Sequence, residues 1–151
     1  MPTLAHNKEA AFHYEILEKF EAGLKLSGPE VKATKLGQIN LRGSYVSFIK
    51  NEPFLVNAHI NPYKPAAGVQ KDYSPTRPRK LLLRQKEINY LRGKTEASGL
   101  TIIPLSVYTK NALIKIEIAL ARGKKIYDKR ESIKKREIER QIQRKMKSSN
   151  F

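Results

Sequence analysis

The sequence predicts a mainly β protein: a small antiparallel barrel with short flanking helices and a basic C-terminal tail. Three observations carry this. Several stretches alternate apolar and polar residues, as strands with one buried face require. Turn-forming clusters separate those stretches, so they pair as antiparallel hairpins. The charge is also lopsided. The chain has 151 residues with 30 Lys/Arg and 14 Asp/Glu, a net of +16, and residues 122–151 alone hold 12 and 4, a net of +8.

The first element is long. From Phe12 to Leu26 the even positions read Phe, Tyr, Ile, Glu, Phe, Ala, Leu, Leu, and the odd ones His, Glu, Leu, Lys, Glu, Gly, Lys. A period of two predicts one strand with one buried face and puts Tyr14 in the core. Gly23 offers a place to bend or bulge, so the strand can serve both sides of a barrel. Ser27-Gly28-Pro29 ends it. Pro29 suits the first position of a helix, Glu30 its positive end and Gly37 its C-terminal cap, so 29–36 reads as a short helix.

Ser44–Lys50 and Phe54–Ile60 then form a hairpin around Lys50-Asn51-Glu52-Pro53, with Tyr45 in the core. Residues 61–80 contain four prolines and read as a long exposed loop with a basic end, Arg77-Pro78-Arg79-Lys80. Leu81–Leu83 is a short apolar run. Arg84–Ala97 carries Ile88, Leu91 and, less centrally, Tyr90, an amphipathic helix ending near Ser98-Gly99. Leu100–Tyr108 and Ala112–Ala121 form a second hairpin around Thr109-Lys110-Asn111. In its last strand Ile114, Ile116, Ile118 and Leu120 share one face, and Lys115 and Glu117 the other. About five or six strands in hairpins suggest a closed or nearly closed barrel, of which the OB type is the best-known RNA-binding form; an open sandwich is the alternative.

A boundary near Gly123 divides a barrel, 1–122, from a tail, 123–151. Glu131–Lys147 is helix-forming and would be about 25 Å long as a helix. Ile138, Ile142 and Met146 line a narrow stripe, with Arg136, Arg140, Arg144 and Lys147 near the opposite face. That stripe is too thin to bury in a core. The tail is expected to be disordered when free and to fold against RNA.

Composition bounds the function. With no cysteine, disulfides, zinc ribbons and thiol catalysis are excluded, and a reducing compartment, the cytoplasm, fits. No apolar run approaches the roughly 20 residues of a membrane span, and the N-terminus has no signal-peptide core. His6, His13 and His59 are scattered, and no catalytic, phosphate-loop or metal motif stands out. A non-catalytic protein without cofactor or metal is expected. So large a positive charge calls for a polyanion, and nucleic acid is favoured over a membrane surface.

Basic and aromatic residues mix around the loop (Tyr63, Tyr73, Arg77, Arg79, Lys80, Arg84), at a hairpin tip (Tyr108, Lys110) and at the tail's start (Lys124, Lys125, Tyr127, Lys129, Arg130). Such groups neutralise phosphate and stack on unpaired bases. Glu30 has two readings: a helix N-terminal acid, or a carboxylate that accepts from base amino groups. The residues alone leave open a constitutive ribosomal protein with an rRNA-anchoring tail and, third, an RNA-modifying enzyme.

Four segments carry a resemblance: GPEVKATKLGQINLRGSYV (28–46), HINPY (59–63), PRKLLL (78–83) and ARGKKIYDKRESIKKRE (121–137). In this order and spacing the chain resembles the SsrA-binding protein family, small protein B, the partner of transfer-messenger RNA (SsrA RNA). The resemblance implies an OB-type barrel that grips the tRNA-like part of that RNA and an adaptor role in trans-translation, the rescue of stalled ribosomes. It implies a tail that enters the decoding centre and empty mRNA channel of the small subunit, against its rRNA, and folds there as a helix. Glu30 matches the family's RNA-binding glutamate, Asn40 its nearby asparagine and Leu82 the middle of its triple leucine. Lys80 and Arg84 flank that leucine, and Lys124 and Lys125 match a Gly-Lys-Lys motif. Asp128, Lys129 and Arg130 match a tail motif tied to accommodation, with Tyr127, Arg136, Arg140 and Arg144 on the same decoding-side segment. Arg84 stands where some members have asparagine, so a charge contact replaces a hydrogen bond. Tyr127 stands where some have histidine; it keeps the stacking and loses the protonation.

Overall fold

The computed structural model describes residues 3–64 and 72–123. Two long strands organise it. Strand β1 (Thr3–His6) and a single helical turn, α1 (Ala10–His13), lead into β2 (Tyr14–Leu24). Phe12 and His13 are therefore helical and not the start of the strand, because α1 folds back over the outside of the sheet. The expected bulge exists but sits elsewhere: register against the partner strand shifts between Ile16 and Glu18. Gly23 serves closure instead. It pairs with strands on both sides, and a β-carbon there would stand 3.1 Å from that of Leu82.

Helix α2 (Gly28–Lys35) follows, closed by Gly37 at φ +78°. Ser27 caps it. The Ser27 hydroxyl accepts from the Glu30 amide, and the Glu30 carboxylate accepts from the Ser27 amide at 3.0 Å, a capping box. Next come β3 (Ile39–Asn40), β4 (Tyr45–Ile49), β5 (Glu52–Val56) and β6 (His59–Ile60). The β4–β5 turn is shorter than the sequence suggests. Only Lys50 and Asn51 turn, both at positive φ, so Pro53 falls inside β5, opposite Phe48. Tyr45 faces outward and is 40% exposed, which corrects its expected place in the core; Tyr14 is half-buried beside α1.

Strand β7 (Arg79–Leu82), helix α3 (Gln85–Ser98), β8 (Thr101–Lys110) and β9 (Leu113–Gly123) complete the order. The last hairpin also turns on two residues of positive φ, Asn111 and Ala112. Paired positive φ values match the right-handed twist of the flanking strands.

The main sheet runs β1-β8-β4-β5-β7-β2-β9, and β9 pairs back to β8. The sheet thus closes on itself, with its thinnest seam the single pair Val46↔Ile102 of β4 and β8. Leu55, Ile60, Leu81, Ile102, Ile116 and Ile118 fill the inside. Ile103, Leu105, Ala119 and Ala121 point the other way and pack under Ala10 of α1. Among the described residues no helix is long and apolar enough to cross a membrane.

Candidate nucleic-acid interface

The loop that the sequence leaves exposed is pinned at its C-terminal half by a buried ionic cluster. Arg79 is the first residue of β7 and points inward by the same alternation that buries Leu81. Glu30 sits on the first turn of α2. Both are essentially inaccessible, at 0% and 1%. Arg79 Nε donates to Glu30 Oε2 at 2.8 Å, Nη1 to the Ala58 carbonyl at 2.6 Å, and Nη2 to the Tyr73 hydroxyl at 2.8 Å. That hydroxyl lies 3.1 Å from Glu30 Oε2 and 3.0 Å from the Ile60 carbonyl. Arg77 grips both carboxylate oxygens from outside, Nε to Oε2 at 3.1 Å and Nη2 to Oε1. One carboxylate therefore ties α2, β6 and residues 73–79 together.

This decides between the two readings of Glu30. Its carboxylate is enclosed by Arg77, Arg79, Tyr73 and Ser27, so it has no path to an RNA base. The direct base-reading role is corrected to a structural one. Burial pushes its pKa up. The hydrogen bonds from Arg77, the Ser27 amide and Arg79, and the Arg79 charge, outweigh that and hold it at about 2. A depressed carboxylate stabilises the fold above its ordinary value of about 4.3, and that gain is lost as pH falls towards 2; a shift of this size is worth about 3 kcal/mol. We expect the urea midpoint to drop between pH 5 and pH 2.5, and to drop much less in Glu30→Gln. An equal drop in both proteins would refute this account.

The same cluster takes Arg79 off the expected surface and holds Tyr73 half-buried beside it. Elsewhere, Lys32 Nζ stands 5.6 Å over the Tyr63 ring. Tyr108 and Lys110 both turn to Glu21.

The alternation that buries Arg79 and Leu81 sends Lys80 and Leu82 outward. Lys80 is half-buried, 3.2 Å from Glu52, while Leu82 is 53% exposed. Arg84, exposed, caps α3. Two grooves flank this strip. One, of about 400 Å³, is lined by Lys25, Leu26, Ser27, Phe54, Arg77, Pro78 and Lys80. The other, of about 350 Å³, includes Gly23, Lys25, Leu26, Val31, Leu82, Leu113 and Lys115. They share Lys25 and Leu26, so they form one apolar surface rimmed by cations. Asn40 lines neither groove; its Oδ1 accepts from the Arg42 amide at 2.9 Å. Lys124, Lys125, Tyr127, Asp128, Lys129, Arg130, Arg136, Arg140 and Arg144 lie outside the described residues.

Sequence reasoning missed Lys25, Lys115 and Leu113. Strand alternation was the available signal: Lys25 and Lys115 occupy outward positions, and Leu113, 60% exposed, stands beside the turn.

Fold and surface together define the class, a small antiparallel barrel of OB type bearing a basic, leucine-studded face. Residues 4–148 match the family model for SmpB, "SmpB protein". The chain belongs to the SmpB family. It is 49% identical over 144 residues to an SsrA-binding protein of Gloeothece citriformis, covering 95% of this chain and 92% of that one. It is 51% identical over 144 residues to an SsrA-binding protein of Persephonella marina, covering 95% and 93%. Among solved structures it is similar to one described as "tmRNA-SmpB: a journey to the center of the bacterial ribosome", with TM-score 0.67, 40% identity, and 85% of this chain and 93% of that chain covered.

Proposed function

We propose that this chain is an RNA-binding adaptor that holds the tRNA-like domain of transfer-messenger RNA and brings it to stalled ribosomes for trans-translation. The observation that carries the reading is its likeness, at about half identity over nearly the whole chain, to relatives named for binding SsrA. Family membership sets aside the constitutive ribosomal protein. The adaptor is non-catalytic and works in the cytoplasm.

The grooved face of the barrel holds the RNA. Lys25, Lys80, Arg84 and Lys115 neutralise phosphates, and Leu82 packs on an unstacked base or sugar. Asn40 contributes from β3 by ordering the turn to Arg42. Glu30 acts through the loop it pins. Lys124 and Lys125 continue the contact. Residues 123–151 form the ribosome-side element, helical in the empty mRNA channel, with Tyr127, Asp128, Lys129 and Arg130 at the decoding centre and Arg136, Arg140 and Arg144 along the rRNA.

Salt titration of binding to transfer-messenger RNA tests the face. Affinity is expected to fall by orders of magnitude over a few-fold rise in salt. Lys25→Ala and Lys80→Ala should each lower the slope of log Kd against log salt by about 1. Unchanged slopes would remove these lysines from the interface.

A further inference from the structure

The buried cluster is not neutral. It sets two guanidinium groups, Arg77 and Arg79, against one carboxylate, Glu30. Arg79 and Glu30 have essentially no access to solvent, so water does not screen the surplus positive charge there. Among the described residues its charged outlet is Arg77, 41% exposed at its side chain, which lines the groove of about 400 Å³. Walls of low dielectric focus such a field into the cleft beside them.

The Arg77 fork is also held in place. A guanidinium has five N–H donors. Glu30 takes two of them, from Nε and Nη2, and the Pro78 carbonyl lies 3.5 Å from Nη1. Two donors remain for an acceptor outside, on a plane fixed by the buried carboxylate.

Neighbouring strands set the rest of the groove in one row. The Lys25 amide donates to the Lys80 carbonyl at 3.0 Å, and Lys80 pairs with Phe54 across β7 and β5. Leu55 and Arg79, the adjacent pair, are buried, so alternation turns Lys80 and Phe54 outward. Lys80 shares its charge with Glu52 at 3.2 Å. Lys25 is exposed and has no acidic partner among the described residues. At about 4.8 Å per strand the row spans about 10 Å, the scale of one nucleotide from phosphate to base. The adjoining leucine groove has no aromatic ring in its lining; this one has Phe54, half-buried. Cations beside an aromatic face are the chemistry that takes a phosphate and its unpaired base.

We propose that this groove is a single-nucleotide pocket within the RNA face: Arg77 and Lys25 hold one phosphate, and Phe54 stacks on the base attached to it. The pocket rests on the adaptor reading and deepens it. It makes Arg77 the member of the buried cluster that touches RNA, while Glu30 and Arg79 hold its fork in position.

Interference mapping with the full chain and transfer-messenger RNA tests the pocket. Methylphosphonate linkages, each removing one phosphate charge, and abasic nucleotides are placed one at a time through the tRNA-like domain. One methylphosphonate should weaken wild-type binding about tenfold and leave Arg77→Lys binding within about twofold of its own unmodified RNA, because that contact is already gone. One abasic position should weaken wild type about tenfold and have as little effect on Phe54→Leu. Both positions should fall on the same nucleotide, and Phe54→Tyr should keep the wild-type pattern. Lys25→Gln, at an exposed position away from Glu30, should erase the same methylphosphonate effect even if Arg77→Lys unfolds. Arg77 and Phe54 with purely structural roles would lower affinity while leaving every interference in place, and that result would overturn the pocket. Interferences erased on two different nucleotides would overturn it too. A wild-type chain that binds no transfer-messenger RNA would overturn the adaptor reading and the pocket with it, whereas failure of the pocket alone leaves wild-type binding intact.

Discussion

Replacing Arg79 with alanine is expected to cost about 3–5 kcal/mol of folding stability, the penalty for leaving a buried charge without its partner. Arg79 donates to Glu30, Ala58 and Tyr73 at 2.6–2.8 Å from a position with no solvent access. Without it the Glu30 carboxylate keeps only outer partners, chiefly Arg77, which is 41% exposed at its side chain. The Ala58 carbonyl and Tyr73 hydroxyl also lose a donor. Urea unfolding should show a midpoint far below wild type. Tyr73→Phe, which deletes one hydroxyl, should cost about 1 kcal/mol. Because residues 73–78 hang on this cluster, RNA affinity should fall in both variants in the order of their stability losses. An Arg79→Ala midpoint equal to wild type would show that the cluster does not hold the loop.

Ending the chain after Gly123 should separate two activities that the intact protein joins. The described barrel runs to that point: β9 makes its last pair there, with Tyr14. Lys25, Lys80, Leu82, Arg84 and Lys115 are all retained. Affinity for free transfer-messenger RNA should therefore change only by the few-fold owed to lost cations, among them Lys124 and Lys125. Tagging on stalled ribosomes should be abolished, because the proposed ribosome-side element is gone. A truncated protein with full tagging activity would sink the proposed role of residues 124–151. Loss of free-RNA binding would move the main RNA contact off the barrel.

Much of the fold was legible because strand patterns are local. Phe20, Ala22 and Leu24 of β2 and Ile114, Ile116, Ile118 and Leu120 of β9 face the core as their alternation requires, whereas Tyr14 and Ile16, beyond the register shift, pack with the outer cluster under α1; Pro29, Gly37 and Gly99 marked helix ends. Errors came where a neighbour decides the outcome. Phe12 and His13 fit a strand pattern, but α1 packs Ala10 onto Ile103, Ala119 and Ala121. Tyr45 fits the alternation of a hairpin strand, yet its side of β4 faces a groove. The turns were read too long because Lys50 and Ala112 adopt positive φ, which their identities disfavour.

For the candidate site, the sequence alone determined the excess of cations, its concentration beyond Gly123, and the family-bearing segments. These depend on composition and order along the chain, which need no folding to be read. Only the tertiary structure decided which cations face outward. Arg77, Arg79 and Lys80 are near neighbours in one basic run, yet one grips the outside of a buried carboxylate, one is wholly interior and one rims a groove. Glu30 looked equally able to cap a helix or read a base. The strand that delivers Arg79 from 49 residues away made it an internal counter-ion, because a charge removed from water must be met by charge and hydrogen bonds from whatever the fold brings beside it.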